Sequence, residues 1–447
     1  MNRPRWHGDW RLAIEWAFAV AVVACLVWAW LFFLDARYLP LPFFPDPNDV
    51  YADGYSTAWW AWNGLEYREW GSVYPPISFV IDKLASTQAC YDGSVMEARN
   101  CDWLLWWVML AIYALNAVLA FLSFRKIERR TALPRAIAWG LGLPTLYGFE
   151  HLNLILIAWT GIILGYGPLL RSTRLRWIAA GIAGNLKPYF IGLILSELIR
   201  RKWRWVEGAL IATVAIFVVT YLVIGAGDPA TIVRNIQIFS DSPERSSSFQ
   251  FVIYATSYTS MIQFLNTLAF PLMMLIGSWV IEFWSTFFQV LIYVMQAVSL
   301  FGLMLAWYRP EAINRYRVLN MAYLLLMISQ EPGGYTMAGS LFLIFCERNR
   351  GWMLGTVVVC AYVQCLAADI PLSSIGNRLV YGYLAGHTVY YYGWLTVGPF
   401  LRPGILMLMQ LMLVLATAAD VRHHATSTAP RDEGAPRHDP RASLAGL

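Results

Sequence analysis

Long apolar runs separated by short basic clusters set the pattern of this chain. The first run extends from Leu12 to Leu34, and its one charged residue, Glu15, lies close to the N-terminal end. Because a helix needs about 20 apolar residues to cross a bilayer, this run predicts a spanning helix. Positive residues favour the cytoplasmic side, and three arginines precede the run (Arg3, Arg5 and Arg11). A small-residue cleavage site does not follow it, so we expect a retained helix with a cytoplasmic N-terminus rather than a signal peptide.

Later basic clusters indicate which other helix ends face the cytoplasm. They occupy residues 125–130, 171–176, 200–204, 309–317 and 347–350. Residues 35–102 and 226–260 then form two large outer loops, and short outer turns fall near 149–152, 331–334 and 370–402. This threading predicts about 11 to 13 spans. Two stretches, 265–284 and 377–400, are either re-entrant or lie along the membrane surface.

Residues 177–199 do not fit a simple crossing. They lie between two basic clusters and hold Gly184-Asn185-Leu186-Lys187-Pro188 at their centre. Two half-length helices that meet at an irregular turn would place both ends in the cytoplasm, and broken backbone at membrane depth is tolerated where protein surrounds it. The alternative is one Pro-kinked helix with an unusually basic outer end.

The composition agrees with a membrane protein. Apolar residues make up 58% of the chain and charged residues 14%, and the mean hydropathy is +0.49. A soluble domain needs about 25% charged residues, so a water-soluble enzyme, a disordered chain and a nucleic-acid binder are excluded. Aromatic residues reach 15%, as is typical of proteins with aromatic belts at the bilayer surface. The net charge of +5 lies largely in loops and tails, where it sets topology rather than indicating an acidic partner.

These patterns predict an all-α polytopic protein of the plasma (inner) membrane. A single transmembrane domain would cover residues 1–420. The Pro/Arg/Ala-rich segment 421–447 lacks apolar periodicity and predicts a disordered cytoplasmic tail. We find no internal repeat, which weighs against a transporter built from duplicated halves.

The cysteines separate into two groups. Cys25, Cys346, Cys360 and Cys365 lie in apolar runs and are expected in the core. Cys90 and Cys101 both lie in the first outer loop, where an oxidising compartment would allow a disulfide. A metal motif is not evident, and whether the protein needs a metal stays open.

The first outer loop holds two aspartates of particular interest, Asp49 and Asp53. Residues 49–63 suit a helix that lies flat on the membrane, anchored by its tyrosines and tryptophans. On such a helix the two aspartates share one face, and their repulsion raises one pKa toward the range of a general base. Alternatively, Asp49 caps the helix. The tryptophans either anchor the loop or stack on a ligand.

Three short breaks in the apolar pattern carry further ionisable residues. Glu150 and His151 lie in one break, Lys187 in the second, and Glu331 in the third, which reads Gln330-Glu331-Pro332-Gly333-Gly334-Tyr335. Ionisable residues at membrane depth are costly and usually functional. Each could be an ordinary helix-end residue, but together they predict one outward-facing cavity.

At these residues the chain resembles polyprenol-phosphate-dependent glycosyltransferases of the GT-C superfamily. It is most similar to glycosyltransferase family 87, which includes mycobacterial mannosyltransferases. The similar elements are an Asp that opens the first outer loop, Gly64-x-x-Tyr67, Tyr74-Pro75-Pro76, Glu150-His151-Leu152-Asn153, and Leu186-Lys187-Pro188 followed by an apolar run. The resemblance covers residues 40–350.

The resemblance implies an enzyme with a GT-C-type fold and an active site outside the cytoplasm. It would transfer mannose or another hexose or pentose, with inversion, from a polyprenyl-phosphate donor to a glycolipid or glycan acceptor, without a further cofactor. The outer-loop Asp is the general base in that family, and this implies Asp49, with Asp53 as second candidate. Glu150 and His151 would orient the acceptor or the base. Lys187 would bind the phosphate, with Arg234, Arg245 and Arg378 as further cations. Tyr74, Glu331 and Tyr335 would line the site.

The sequence departs from the mannosyltransferase pattern in three places. His151 replaces a Gln, the Glu331–Tyr335 stretch replaces one with Ser, Trp and His, and two aspartates compete for the position of the base. The sugar and acceptor therefore stay open. Two other functions remain possible, a transporter or flippase of a lipid-linked sugar and an O-antigen polymerase or ligase. The latter class uses Arg and His in a large late loop, whereas the loop after residue 226 holds Arg234 and Arg245 but no His.

Overall fold

The computed structural model describes residues 9–43, 46–64, 66–224, 229–241, 254–266, 277–348 and 351–428. Within these ranges the chain is mostly helical. Five helices are long and apolar enough to cross a membrane, over Trp10–Ala36, Trp103–Ile127, Trp203–Ile224, Ser278–Tyr308 and Gly398–His424. They support the prediction of a membrane-embedded helical protein.

The helices follow one another with few long connections. They are α1 (Asp9–Ala36), α2 (Ala52–Asn63), α3 (Pro76–Ala85), α4 (Val95–Cys101), α5 (Trp103–Ile127), α6 (Ala132–Leu141), α7 (Leu143–Glu150), α8 (Ile155–Tyr166), α9 (Thr173–Leu186), α10 (Ile191–Ser196), α11 (Trp203–Ile224), α12 (Pro229–Asp241), α13 (Tyr258–Asn266), α14 (Ser278–Tyr308), α15 (Arg315–Ser329), α16 (Met337–Phe345), α17 (Gly351–Gln364) and α18 (Gly398–Thr428). Short 3-10 turns cover Gln88–Cys90, Pro188–Phe190 and Gly334–Thr336.

Several apolar runs break into helices too short to cross a bilayer alone. Helices α6 and α7 are separated at Gly142, whose φ of −74° and ψ of 152° are extended, and Pro144 opens α7. Proline suits the first turn of a helix because its position needs no N–H donor. Within the described ranges, five helices are of spanning length, which is fewer than the 11 to 13 spans predicted.

The chain also breaks at Lys187, as the sequence predicts. Helix α9 ends at Leu186, Lys187 is extended with φ −138° and ψ 102°, and a 3-10 turn leads into α10. Proline disfavours the helical conformation of the residue before it, so Pro188 accounts for the extended Lys187. The alternative of one continuous kinked helix is wrong.

The first outer loop folds into three short helices, α2 to α4, held to α5 by a disulfide and a cap. Cys90 and Cys101 are bonded, with their Cα atoms 5.5 Å apart. The Asp102 carboxylate accepts hydrogen bonds from the N–H of Leu104, at 3.1 Å, and from the Tyr91 hydroxyl, at 2.8 Å. This cap fixes the loop against the first turn of α5.

Residues 371–396, which overlap the stretch 377–400 expected to be re-entrant or to lie along the membrane surface, form a β-hairpin. Strand β1 (Pro371–Gly382) pairs antiparallel with β2 (His387–Thr396). The expectation of an all-α chain is wrong in this segment. The reason is visible in β2, where Val389 and Tyr391 are buried and the intervening Tyr390 and Tyr392 are exposed, the period-two pattern of a strand with one covered face.

Candidate active site

The first outer loop docks on the turn between α7 and α8. The N–H of Tyr51 donates to the Glu150 carbonyl at 2.8 Å, and the N–H of Gly54 donates to the His151 carbonyl at 3.2 Å. A Cβ at position 54 would lie 2.7 Å from the Leu152 carbonyl oxygen. Only glycine allows this approach, and it brings the first turn of α2 against the predicted break at Glu150 and His151.

Asp53 is the outer-loop aspartate that joins the other predicted residues. It lies in the first turn of α2, and its Oδ2 accepts a hydrogen bond from Asn153 Nδ2 at 3.0 Å. Its charge also acts on His151 and on Lys187. Asp53 therefore faces a cluster assembled from three separate parts of the chain.

Asp49 has a different environment. The helix begins at Ala52, and the residue before it, Tyr51, has a left-handed φ of 67° and makes no side-chain cap. Asp49 thus lies outside the helix, so the predictions that it caps α2 and shares a helical face with Asp53 are both wrong. Its charge acts on Arg99, whose guanidinium donates to the Val50 carbonyl at 2.8 Å.

Lys187 is the cation of this cluster. Its side chain is 8% exposed. Its Nζ donates to the Tyr74 hydroxyl at 3.2 Å and lies 4.5 Å from the centre of the Tyr74 ring and 5.5 Å from that of Tyr335. Among the described residues, no carboxylate forms an ion pair with it. Buried charges are normally paired, so this ammonium is suited to bind an anion that comes from outside the protein.

His151 is held in one orientation. Its Nδ1 lies 2.8 Å from the Tyr147 carbonyl oxygen, and its ring centre is 4.2 Å from that of Tyr147. Because a carbonyl only accepts, Nδ1 carries the proton. Burial lowers the pKa of His151, and the charge of Asp53 opposes this shift. At neutral pH the ring is therefore uncharged.

Glu331 connects its own turn to the segment at Thr256 and Ser257 through hydrogen bonds. Its carboxylate accepts hydrogen bonds from the N–H groups of Thr256, Ser257 and Gly333, at 2.8, 2.9 and 3.1 Å, and from the Thr256 hydroxyl at 2.9 Å. Burial raises the pKa of Glu331 to about 7, although these donors favour the charged form. With four donors already bound, this carboxylate has a bracing role rather than the predicted substrate contact. Tyr335, four residues later, does belong to the cluster, because the Lys187 ammonium lies 5.5 Å from its ring centre.

The remaining predicted residues divide between the cluster and the surface. Tyr74 lies in the cluster, and Glu150 is buried beside it and accepts from Tyr51 through its carbonyl oxygen. Arg234 is exposed on α12. Arg378 forms an exposed ion pair with Asp46 at 3.0 Å. Arg245 lies outside the described residues.

The structure adds residues that the sequence did not single out. Tyr189 hydrogen-bonds Thr336 at 3.1 Å and contributes to the charge balance at Lys187. Arg402 pairs with Asp369 at 2.9 Å and lies over the Tyr254 ring at 4.9 Å. Tyr189 directly follows the Leu186-Lys187-Pro188 element, and this position is the signal that could have found it. Arg402, Asp369 and Tyr254 belong to no recognisable motif, so the sequence carried no signal for them.

Asp82 on α3 is a second unexpected acid. It is fully buried, and neither carboxylate oxygen has a hydrogen-bond partner among the described residues. Burial raises its pKa well above the ordinary value, against the effect of the nearby Thr57 hydroxyl, which donates to the carbonyl oxygens of Asp53 and Gly54. The carboxyl therefore keeps its proton to a higher pH than an ordinary aspartic acid does.

The space beside the cluster is small. A cavity of about 30 Å³ is lined by Tyr189, Thr336 and residues of α15 and its following turn, among them Tyr323 and Met327. A volume of this size holds one or two waters. In the part of the chain that the structure describes, three or more His, Cys, Asp or Glu side chains do not group in a way that could hold a metal ion.

Comparison with known proteins adds no assignment. No protein-family model, curated protein or solved structure matches the chain. The chemistry must therefore be argued from the cluster itself. It combines an outer-loop carboxylate, a buried ammonium without an ion pair among the described residues, a neutral imidazole and several tyrosine hydroxyls.

Proposed function

We propose that this membrane protein is a glycosyltransferase that uses a polyprenyl-phosphate sugar as donor and works on the extracytoplasmic side. The acceptor would be a lipid-linked or glycan hydroxyl, and the transferred sugar a hexose, such as mannose, or a pentose. The proposal rests on the short motifs that resemble GT-C enzymes of family 87 and on the chemistry of the Asp53–Lys187 cluster.

The single observation that carries the proposal is the environment of Lys187. A buried ammonium beside tyrosine hydroxyls, without an ion pair among the described residues, costs stability unless an anion binds it in the working protein. The phosphate of a lipid-phosphate sugar supplies such an anion. It is also the leaving group of the reaction, so the same ammonium that binds the donor stabilises the charge that develops as the bond breaks.

Asp53 then acts as the general base. The acceptor hydroxyl oxygen forms a bond to the anomeric carbon while the bond from that carbon to the phosphate oxygen breaks. The hydroxyl proton passes to the Asp53 carboxylate, and the electron pair of the broken bond leaves on the polyprenyl phosphate. Attack opposite the leaving group inverts the anomeric centre. Asn153, which donates to Asp53, fixes the direction of the carboxylate.

His151 has a positioning role in this scheme. Its Nδ1–H is bonded to the Tyr147 carbonyl, which fixes the orientation of the ring in the cluster where the charge of Asp53 acts on it.

A transfer assay with purified protein tests the proposal. The protein in lipid nanodiscs is given a panel of radiolabelled polyprenyl-phosphate hexoses and pentoses with a membrane glycolipid extract as acceptor. We expect transfer from one donor, and we expect Asp53→Asn to lower kcat by about 10²- to 10⁴-fold. Asp49→Asn should lower it far less, and Asp92→Asn, an exposed acid of the same outer loop, serves as matched control.

Two results would overturn the proposal. Full activity in Asp53→Asn together with loss in Asp49→Asn would remove Asp53 as the base. Movement of a labelled donor across the bilayer without transfer to any acceptor would instead indicate a flippase.

A further inference from the structure

The outward face of the β-hairpin carries aromatic and aliphatic side chains and no charge. The regular pairing places seven residues on this face, namely Asn377, Leu379, Tyr381, Thr388, Tyr390, Tyr392 and Trp394. Leu379 is 71% exposed and Tyr390 46%. An exposed apolar patch of this kind marks an interaction surface.

The opposite face is covered by the outer end of α1. Val389 and Tyr391 are buried, and the ring centre of Tyr391 lies 4.9 Å from that of Tyr38. Tyr38 in turn packs edge-on against Phe32 of α1 at 5.4 Å. The hairpin is thus bound to the end of a membrane-spanning helix.

Both ends of the hairpin are connected to the ends of other helices of spanning length. Strand β2 ends at Thr396, two residues before α18 begins. At the tip, Tyr383 donates its N–H to the Pro47 carbonyl at 3.0 Å, and its ring lies 6.0 Å from that of Tyr51. Tyr51 reaches Trp106, in the first turn of α5, through the ring of Phe149.

The hairpin therefore crosses the ends of α18, α1 and α5 on one side of the membrane. A strand of ten residues is about 33 Å long. Since its base is joined to the start of α18 and its tip is linked to the start of α5, we infer that this length runs along the membrane surface rather than away from it.

The last turns of α1, next to the hairpin, also carry exposed apolar side chains. They are Trp28, Trp30, Leu31 and Leu34. These residues belong to a candidate membrane span. Tyr and Trp concentrate where a bilayer meets water because their rings have an apolar body and a polar edge.

We propose that the uncharged face of the β-hairpin is a membrane-surface anchor that inserts its aromatic side chains into the interfacial region of the outer leaflet. The partner is the lipid bilayer itself. A glycan or protein partner would call for charged or amide groups beside the rings, whereas Asn377 is the one amide among the seven outward residues.

The anchor is coupled to the outer loop. Arg378, on the covered side of β1, pairs with Asp46 at 3.0 Å, and Arg99 lies over the Tyr383 ring at 3.8 Å. Both contacts reach the segment that leads into α2. Insertion of the hairpin thus fixes the height of α2 above the bilayer, whatever reaction the protein performs.

Site-directed labelling tests the anchor. Tyr392→Cys and Leu379→Cys are labelled with a small fluorophore in full-length protein in nanodiscs, and brominated lipids are compared with aqueous iodide as quenchers. The free cysteines Cys346, Cys360 and Cys365 are buried and Cys25 is half-buried, so unsubstituted protein measures the background. Glu69→Cys, at an exposed charged position of the first outer loop, is the water-facing control.

We expect brominated lipid to quench both hairpin labels roughly twofold or more beyond the Glu69→Cys label. Aqueous iodide should instead quench the Glu69→Cys label more strongly than both hairpin labels. Strong iodide quenching of both hairpin labels without a lipid effect would overturn the proposal and place the face in water. A lipid effect at Leu379→Cys alone would also overturn it, because the two side chains are on neighbouring strands of one face.

Discussion

Replacement of Lys187 by methionine separates a ligand-binding role from a structural one. Methionine is unbranched and of similar length, so it fills the same space between Tyr74 and Tyr335. The change removes the positive charge and the 3.2 Å hydrogen bond to the Tyr74 hydroxyl. Lys187→Arg keeps the charge, and Lys126→Met, at an exposed lysine in the last turn of α5, is the matched control.

The expected loss of activity follows from the proposed hydrogen bond between Lys187 and the donor phosphate. A hydrogen bond to a charged group contributes about 1.5 to 3 kcal/mol. At about 1.36 kcal/mol per factor of ten, Lys187→Met should lower kcat/KM by about 10- to 150-fold. Lys187→Arg should retain more activity, because it can still donate to an anion.

The expected effect on stability is small. Burial of an ammonium without an ion pair costs several kcal/mol, and the contacts of Lys187 within the protein return an amount of the same order. Its hydrogen bond to Tyr74 contributes about 1.5 to 3 kcal/mol because the donor is charged, and its two cation–π contacts contribute up to about 2 kcal/mol each. We therefore expect the free energy of unfolding of Lys187→Met to lie within about 2 kcal/mol of that of the unsubstituted protein.

Two measurements on one preparation distinguish a ligand-binding role of Lys187 from a structural one. Transfer kinetics with the active donor give kcat/KM, and thermal unfolding in detergent gives the midpoint temperature. A fall in both quantities for Lys187→Met would show that the ammonium is structural. Unchanged kinetics would show that Lys187 does not bind the phosphate of the donor.

Three further changes are informative. Asp82→Asn should raise the thermal midpoint at pH 8 and leave it unchanged near pH 4, because an acid whose pKa is raised by folding lowers stability as the pH rises above its ordinary pKa. Identical shifts at both pH values would contradict the raised pKa of Asp82. Glu331→Gln should speed amide hydrogen exchange at Thr256 about tenfold, since losing one acceptor costs about 1 to 1.5 kcal/mol, and unchanged exchange would mean that Glu331 does not brace this segment. Joint replacement of Cys90 and Cys101 by serine should destabilise the outer loop by about 2.8 kcal/mol, from the entropy of closing an 11-residue separation, and equal denaturant midpoints would refute this.

Much of the fold is visible in the apolar pattern because membrane helices must satisfy their backbone internally. The break at Lys187 is also predictable, since Pro188 restricts its neighbour. The hairpin is not predictable from this pattern. The three tyrosines between Val389 and Trp394 would suit a helix on the membrane surface equally well.

The candidate site was predicted in outline and not in detail. Interruptions at His151 and Lys187 point to it, but the choice between Asp49 and Asp53 depends on where α2 begins. That start is set by the left-handed Tyr51 and by hydrogen bonds to the turn after α7. Contacts of this kind join residues about a hundred positions apart, and local sequence does not encode them.

The bond between Asn153 and Asp53 spans 100 residues of chain, and this has a consequence for biosynthesis. At about 5 to 20 residues per second, the ribosome needs roughly 5 to 20 seconds to add the docking turn after Asp53 has been made. The bond from Lys187 to Tyr74 spans 113 residues and imposes a similar delay. During that interval Asp53 and Tyr74 lack these partners, so the cluster cannot assemble until the chain has been translated and inserted beyond Lys187.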